Sequence, residues 1–435
     1  MNITENIDLK SQLLADFETQ QVGAGDGSLN LLKKNAMLAF EKLGFPTTKH
    51  EEWKYSNVKK LVSQTFEFHA ESNFSAENLE TLQLPNLQGN VLCFVNGVYK
   101  KELSTLKSPS TKLKVMTLTE ALVEIPAIIE QHFGKYVDSQ NESFTALNTA
   151  MANDGLVVYV PDNVTIEEPI IMRLIADVRT QKVGSQVRNL IVVGKNAEVK
   201  IAEAFRTYGE EASFVNAVTE IVVAEDARVD YYKVQNDNDA SYHIGTTQVY
   251  QQNKSYFYSA TVTLNGGFVR NNLNLSLDGE HIESHMYGLY IPNGSQHVDN
   301  HTLADHRKPN SVSNELYKGV LMDKSTGVFN GKIFVQEDAQ KTNAYQNCRN
   351  VITSDSASMN SKPQLEIWAD DVKCSHGTTT GKLNDEAIFY MQSRGIPKQE
   401  AIKLQLLAFA EDVISQIKID SIREYLAEKI AEKLA

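Results

Sequence analysis

Three stretches of this chain can be laid on one another: 158-VYVPDNVTI-166, 191-IVVGKNAEV-199 and 221-IVVAEDARV-229, beginning 33 and 30 residues apart. In each, three apolar or aromatic residues lead into a polar corner with Asn or Asp at the sixth place, and Ile or Val closes the ninth. One strand, corner and strand cannot bury their apolar face alone, so a unit repeating at this period predicts a solenoid in which each turn covers the next. An antiparallel β-sandwich, whose hairpins also alternate, is the competing reading. Alternation continues through 273-LNLSLDG-279, 317-YKGVLMD-323, 328-VFNGKIFV-335 and 365-LEIWADDVKC-374, which places strands from about 155 to 374.

The flanks read as helices. Leu31, Leu32, Ala36, Ala39, Phe40 and Leu43 keep one face apolar, with Ser28 placed to cap the start and Gly44 and Pro46 to end it. A mixed segment follows, with the strand candidate 91-VLCFV-95 and a helical run between Leu118 and Phe133. Beyond the strands, Leu383 and Ile388 bracket an N-cap at Asn384, Gly395 stops that helix, and Pro397 suits the first turn of the next. Ile402, Leu406, Phe409, Ala410, Val413 and Ile417 then form an apolar stripe, and a last helix starts near Asp420. Such helices need cover, either from the β body or from another protein. The chain divides into an N-terminal helical region (1–85), a mixed connecting segment (86–154), a β core (155–376) and a C-terminal helical segment (377–435).

Forty-two basic against 55 acidic side chains give a net charge of −13, which argues against nucleic acid or an anionic membrane as the partner. No apolar run reaches the length of a membrane span, and the first thirty residues lack the apolar core of a secretion signal. Cys93, Cys348 and Cys374 are few, odd in number and far apart, which suits free thiols in reducing surroundings. A soluble cytoplasmic protein with protein or small-molecule partners is expected.

Several segments invite chemical readings. The stretch 377-GTTTGKL-383 approaches a phosphate-binding loop, but three residues instead of four separate its first glycine from the Gly-Lys pair, and Leu383 stands where a magnesium-holding hydroxyl belongs. The glycines of 23-GAGDG-27 also fail that pattern and read as a flexible loop. Five of the ten histidines are His281, His285, His297, His301 and His306; on strands, 281-HIESH-285 and 297-HVDNH-301 would each offer two imidazoles on one face, as weak metal candidates or simply as polar strand positions. Cys374 and His376 would also share a face, where an imidazole can lower a thiol pKa or make half a soft-metal site completed across an interface; equally, Cys374 can be a buried apolar residue and His376 a corner residue.

The segment 371-DVKCSHGTTTGKLNDEAIFYMQSRGIPKQEA-401 resembles the C-terminal signature of the SufB/SufD family of iron–sulfur cluster assembly scaffolds, and 44-GFPTTKHEEWKYSNVKKL-61 resembles the SufD branch more than the SufB branch. The resemblance implies a right-handed parallel β-helix flanked by helical N- and C-terminal regions, and no enzymatic activity of its own. It implies pairing with a SufB-like subunit through the β-helices and docking of a SufC-like ABC ATPase, through which alone ATP enters, onto the C-terminal helices. A homodimer of the isolated chain is also compatible. His376 matches a family histidine facing a partner cysteine where a transient iron–sulfur cluster is built, and Cys374 the cysteine beside it. Asn384, Asp385, Phe389, Tyr390, Arg394, Gly395, Ile396, Pro397 and Ala401 fall in the ATPase-docking region. No tightly bound cofactor is implied for the chain alone. Trp53, Lys54 and Tyr55 match the N-terminal motif without a mechanism attached. The reading from another class is a β-solenoid or cupin-like metalloenzyme using the histidines from 281 to 306.

Overall fold

In the computed structural model, which describes residues 8–21, 27–68, 70–82, 89–152 and 155–434, the repeat forms a parallel β-helix of about eight turns. From Leu156 onward its strands alternate between two sheets, each pairing in parallel with the strand two places on in sequence. The aligned segments lie in successive turns of one sheet: Val158 pairs with Ile191, and Ile191 with Ile221. Their sixth residues, Asn163, Asn196 and Asp226, all adopt positive φ (60°, 51° and 58°). Asn and Asp tolerate this left-handed corner better than branched residues, which is why the corner keeps them. Stacked parallel strands exclude the sandwich.

Inward-facing side chains of both sheets form one long core that includes Val158, Ile191, Ile221, Phe257, Leu275 and Tyr317. The outer faces are covered separately. On the first sheet, the N-terminal helices Leu9–Gln21 and Ser28–Leu43, with Phe144 and Leu147 of the helix Ser143–Met151, pack over Phe214, Ile244 and Phe268. On the second, the helices Lys398–Ile414 and Asp420–Lys433 lay Leu406, Ala410, Val413, Ile422 and Leu426 on Tyr232, Tyr258, Val262 and Val320. The predicted stripe thus packs on the β body of its own chain.

Several expectations are corrected. Ser28 is the first residue of its helix, with Gly27 in the capping position and no side-chain cap, and Leu31 and Leu43 are exposed while Met37 joins the buried face. The run from Leu118 to Phe133 is two helices, Leu118–Glu124 and Pro126–His132, since Pro126 begins the second. The strand Asn90–Val95 belongs to the solenoid, pairing in parallel with Ile170–Asp177, so the β body reaches into the connecting segment. Residues 23–26 of the glycine-rich 23–27 stretch lie outside the described residues. No described helix is long and apolar enough to cross a membrane.

The two ends of the solenoid differ. At the start, the short strands Lys114–Thr117 and Val98–Tyr99 close the sheets in antiparallel pairing. At the other end, Ser358–Ile367 and Lys373–Gly381 each pair on one side only, leaving two adjacent strand edges exposed.

Candidate functional site

The open end carries the cysteine and histidine. The strand Lys373–Gly381 lies on Asn343–Ile352, with Cys374 paired to Ala344, His376 to Gln346 and Thr378 to Cys348. Ala344, Gln346 and Cys348 are buried and inward-facing, so Cys374, His376 and Thr378 point along the same inner row. Among the described residues no further strand pairs with this last turn; His376 is exposed and Cys374 half-buried against Ile333, Val335 and Ala344. Across the turn, the hydroxyls of Ser361 and Thr378 meet at 2.9 Å. Burial pushes the Cys374 thiol up, the opposite of the lowering that a neighbouring imidazole can give. Cys93 and Cys348, both buried, are pushed up to about 11.

The strand runs through Gly377 to Gly381, past the expected end of the core at 376. Backbone that is extended and paired there cannot curl its amides around a phosphate, so the near-match to a phosphate loop is a strand edge. Lys382 pairs with Asp355 at 3.0 Å on the surface.

Beneath His376, Gln346 Nε2 donates to Glu315 Oε2 at 2.8 Å. A Cβ on Gly331 would overlap that Nε2, so only glycine leaves room for the amide. Burial pushes the Glu315 carboxyl up to about 7 against the opposing pull of Thr302 and Gln346, and among the described residues the Gln346 Oε1 has no hydrogen-bond partner. A charged residue in this position is expensive unless it holds its proton.

The N-terminal motif has a structural role that its sequence did not reveal. Residues 51–56 lie across four consecutive strands of the first sheet. Trp53 stacks on the Arg270 guanidinium, 4.0 Å from ring centroid to Cζ. Arg270 donates to Asp299 Oδ2 at 2.9 Å and to the Glu52 carbonyl at 2.6 Å. The Ser56 hydroxyl donates to Asp299 Oδ2 at 2.5 Å and lies 2.8 Å from His297 Nε2, which leaves the imidazole as the donor in that second contact. Glu52 takes His301 Nδ1 at 3.3 Å and Asn330 Nδ2 at 3.0 Å, and Glu51 reaches Lys362 of the last turn at 2.5 Å. Burial alone would raise the Asp299 carboxyl, but His301 and Arg270 overcome it and hold it well below the usual carboxylate range. We call this segment the clasp.

The clasp also disposes of the histidine pairs. His297 and His301 share a face of the strand His297–His306, as expected, yet both are engaged by clasp residues, and His297 stacks on Phe268 at 5.0 Å. His306 points inward to Ser313, and burial pushes it down to about 4. His281 is no strand residue: it occupies a corner with φ 57°, while His285, two residues into its strand, bonds Glu283 at 2.7 Å. A corner residue and a strand residue do not share a face, so the 281/285 pair does not form. Among the described residues, no three His, Cys, Asp or Glu side chains come together as a metal site. The metalloenzyme reading loses its ligand set.

The helix Asp385–Ser393 is capped by Asn384, whose side chain accepts from the Ala387 amide, and Gly395 ends it at φ 87°. It buries only Ile388; Phe389 is 73% and Tyr390 59% exposed, with Arg394 against the Tyr390 ring. Asp385, Gly395 and Pro397 are also on the surface and Ile396 is half-buried, whereas Ala401 is fully buried and cannot take part in a surface contact.

Two family models cover nearly the whole chain: the SufBD protein N-terminal region over residues 11–172, and the SUF system FeS cluster assembly SufBD core domain over 176–409. The chain is 30% identical to an iron–sulfur cluster assembly SufBD family protein of Synechocystis, across 97% of this chain and 99% of that protein. It is 29% identical to the iron–sulfur cluster assembly protein SufD of Escherichia coli, over 90% of both, and 25% identical to that of Bacillus subtilis, over 93% of this chain and 94% of the other. With a β-helix of the expected architecture, a helical cover on each sheet and both family models matched in order, this chain belongs to the SufB/SufD family of iron–sulfur cluster assembly proteins, on its SufD side.

Proposed function

We propose that this chain is a non-catalytic scaffold subunit of a SUF-type assembly complex, whose open solenoid end pairs with a SufB-like subunit and helps that subunit build an iron–sulfur cluster. The observation that carries the reading is the uncovered last turn: two unpaired strand edges side by side, with His376 exposed between them and Trp368 at the adjoining corner. Exposed edges invite pairing with another chain, and natural proteins cover or charge them unless they are used. A β-helix end of matching shape would continue both sheets and bring its own thiolates to His376.

One exposed imidazole and one half-buried, protonated thiol cannot hold a cluster alone, since clusters need several thiolate or imidazole ligands. The cluster is therefore treated as cargo assembled across the interface and passed on, with His376 as one ligand or proton carrier and Cys374 as a secondary contributor. A SufC-like ABC ATPase engages the helix Asp385–Ser393 through Phe389, Tyr390 and Arg394, and supplies the only ATP site. Because that helix follows the last strand after three residues, Lys382 to Asn384, movement imposed by the ATPase is delivered next to His376.

Co-expression with SufB-like and SufC-like partners, followed by anaerobic purification and absorption spectroscopy, tests the reading. The His376→Ala variant is expected to assemble into the same complex and to lose most of the cluster absorbance. Unchanged absorbance in the variant complex would overturn the role of His376.

A further inference from the structure

Along one inward row of the second sheet, Met286, Glu315, Gln346 and His376 follow one another in register toward the open end. Met286 fills its place in the core with an apolar side chain; Glu315 and Gln346 are polar, yet both are buried. Polar side chains in a core cost free energy unless their hydrogen bonds are made, and departures of this kind concentrate at functional sites. Here the bonding is half complete. Gln346 Nε2 donates to Glu315 Oε2 at 2.8 Å, which settles the end of the amide that faces this carboxyl. Gln346 Oε1 is buried and, among the described residues, has no donor.

Gly331, which faces the amide from the other sheet, has no side chain to donate. The next side chain in the row is His376, on the neighbouring strand. Neighbouring strands lie about 4.8 Å apart, close enough for an amide on one and an imidazole on the next to bond. A neutral imidazole carries one N–H, and the hydrogen bond made by one ring nitrogen decides which nitrogen keeps its lone pair.

We propose that Gln346 is a positioning residue: its Oε1 accepts from one ring nitrogen of His376 and so presents the other nitrogen, unprotonated, to the docked partner. Glu315 holds the amide in that orientation. This role rests on the reading of His376 as an interface group and adds what selects its tautomer. An imidazole whose N–H faced the partner would have no lone pair to offer there.

Solid-state ¹⁵N NMR of the histidine-labelled full chain, in its complex with a SufB-like subunit assembled without iron or sulfide at pH 8, reads the tautomer; His376→Ala identifies the signals. One tautomer of His376 is expected to dominate in the wild type. Gln346→Met, which keeps the length of the side chain without its acceptor, should move the tautomer ratio by about tenfold, the worth of one hydrogen bond. Glu315→Met should move it in the same direction by freeing the amide, whereas Glu315→Gln keeps an acceptor for Nε2 and should leave it as in the wild type. Thermal unfolding and co-purification establish that each variant folds and docks, and a merely structural glutamine would not move the ratio. The proposal is overturned if Gln346→Met moves the ratio by less than about twofold, or if Glu315→Gln moves it as far as Glu315→Met. Such a result beside a loss of cluster absorbance in His376→Ala sinks the role of Gln346 alone; unchanged absorbance in His376→Ala overturns the cluster role of His376 instead.

Discussion

Replacing Arg270 by Ala lowers the unfolding free energy by about 3–5 kcal/mol and frees the clasp, because it leaves a buried carboxylate without its permanently charged partner. The side chain of Arg270 is nearly inaccessible, as is that of Asp299, and the guanidinium serves five groups at once: Asp299, the Glu52 carbonyl, Asn272, His301 and the Trp53 ring. Removing it strands Asp299 with the Ser56 hydroxyl and His301 and takes away the surface on which Trp53 lies. Urea unfolding gives the energy, and limited proteolysis between Glu51 and Tyr55 reports release of the clasp. Arg270→Lys should recover only part of the loss, since an ammonium keeps the charge without the planar fork. A variant of wild-type stability with a protected clasp would show that the contacts are incidental. Because Asp299 is held below the usual carboxylate range, its contribution is complete above the unfolded-state pKa and is lost only as pH falls through the lower folded value. The measurement therefore belongs at neutral pH.

Glu315→Gln is expected to stabilise the protein by about 3 kcal/mol at pH 8 and by little at pH 4.5. The sign follows from burial. The folded chain keeps the Glu315 proton up to about pH 7, whereas the unfolded chain releases it near the ordinary glutamate value of 4.5. The folded state thus binds more protons across that window, and the wild type loses stability as pH rises through it. Glutamine is neutral throughout and keeps an acceptor for Gln346, so the advantage of the variant should grow from pH 4.5 to 7 and then level off. Paired denaturant titrations of variant and wild type cancel the other titrating groups, such as His306. An advantage of the same size at pH 4.5 and pH 8 would mean that Glu315 is not a buried carboxyl of this kind.

The sequence made the solenoid legible wherever a turn is covered on both sides. Stacking forces apolar residues into register, as at Val158, Ile191 and Ile221, and the left-handed corner selects Asn and Asp, so both leave a periodic trace. That trace fades in the last turn, where inward positions have nothing to pack against. Lys373–Gly381 is consequently rich in Ser, Thr and Gly, and its second half read as a turn. His281 was misplaced for a related reason: polarity marks a corner as readily as an exposed strand face, and only the backbone conformation separates them. The clasp could not be read at all, since Ser56 and Asp299, or Glu51 and Lys362, are hundreds of residues apart and neither side has a periodicity that names the other. His376 and the helix that follows were found through family resemblance; local chemistry alone left His376 balanced between ligand and corner residue.

We propose that the partner docks on the last turn of the solenoid. Backbone hydrogen exchange, compared between the free chain and its complex with a SufB-like subunit, tests this most directly. The unpaired edges of Ser358–Ile367 and Lys373–Gly381 should exchange quickly in the free chain and slowly in the complex, while the closed end at Val98–Tyr99 and Lys114–Thr117 stays unchanged. A complex that forms with no slowing in those two strands would contradict it.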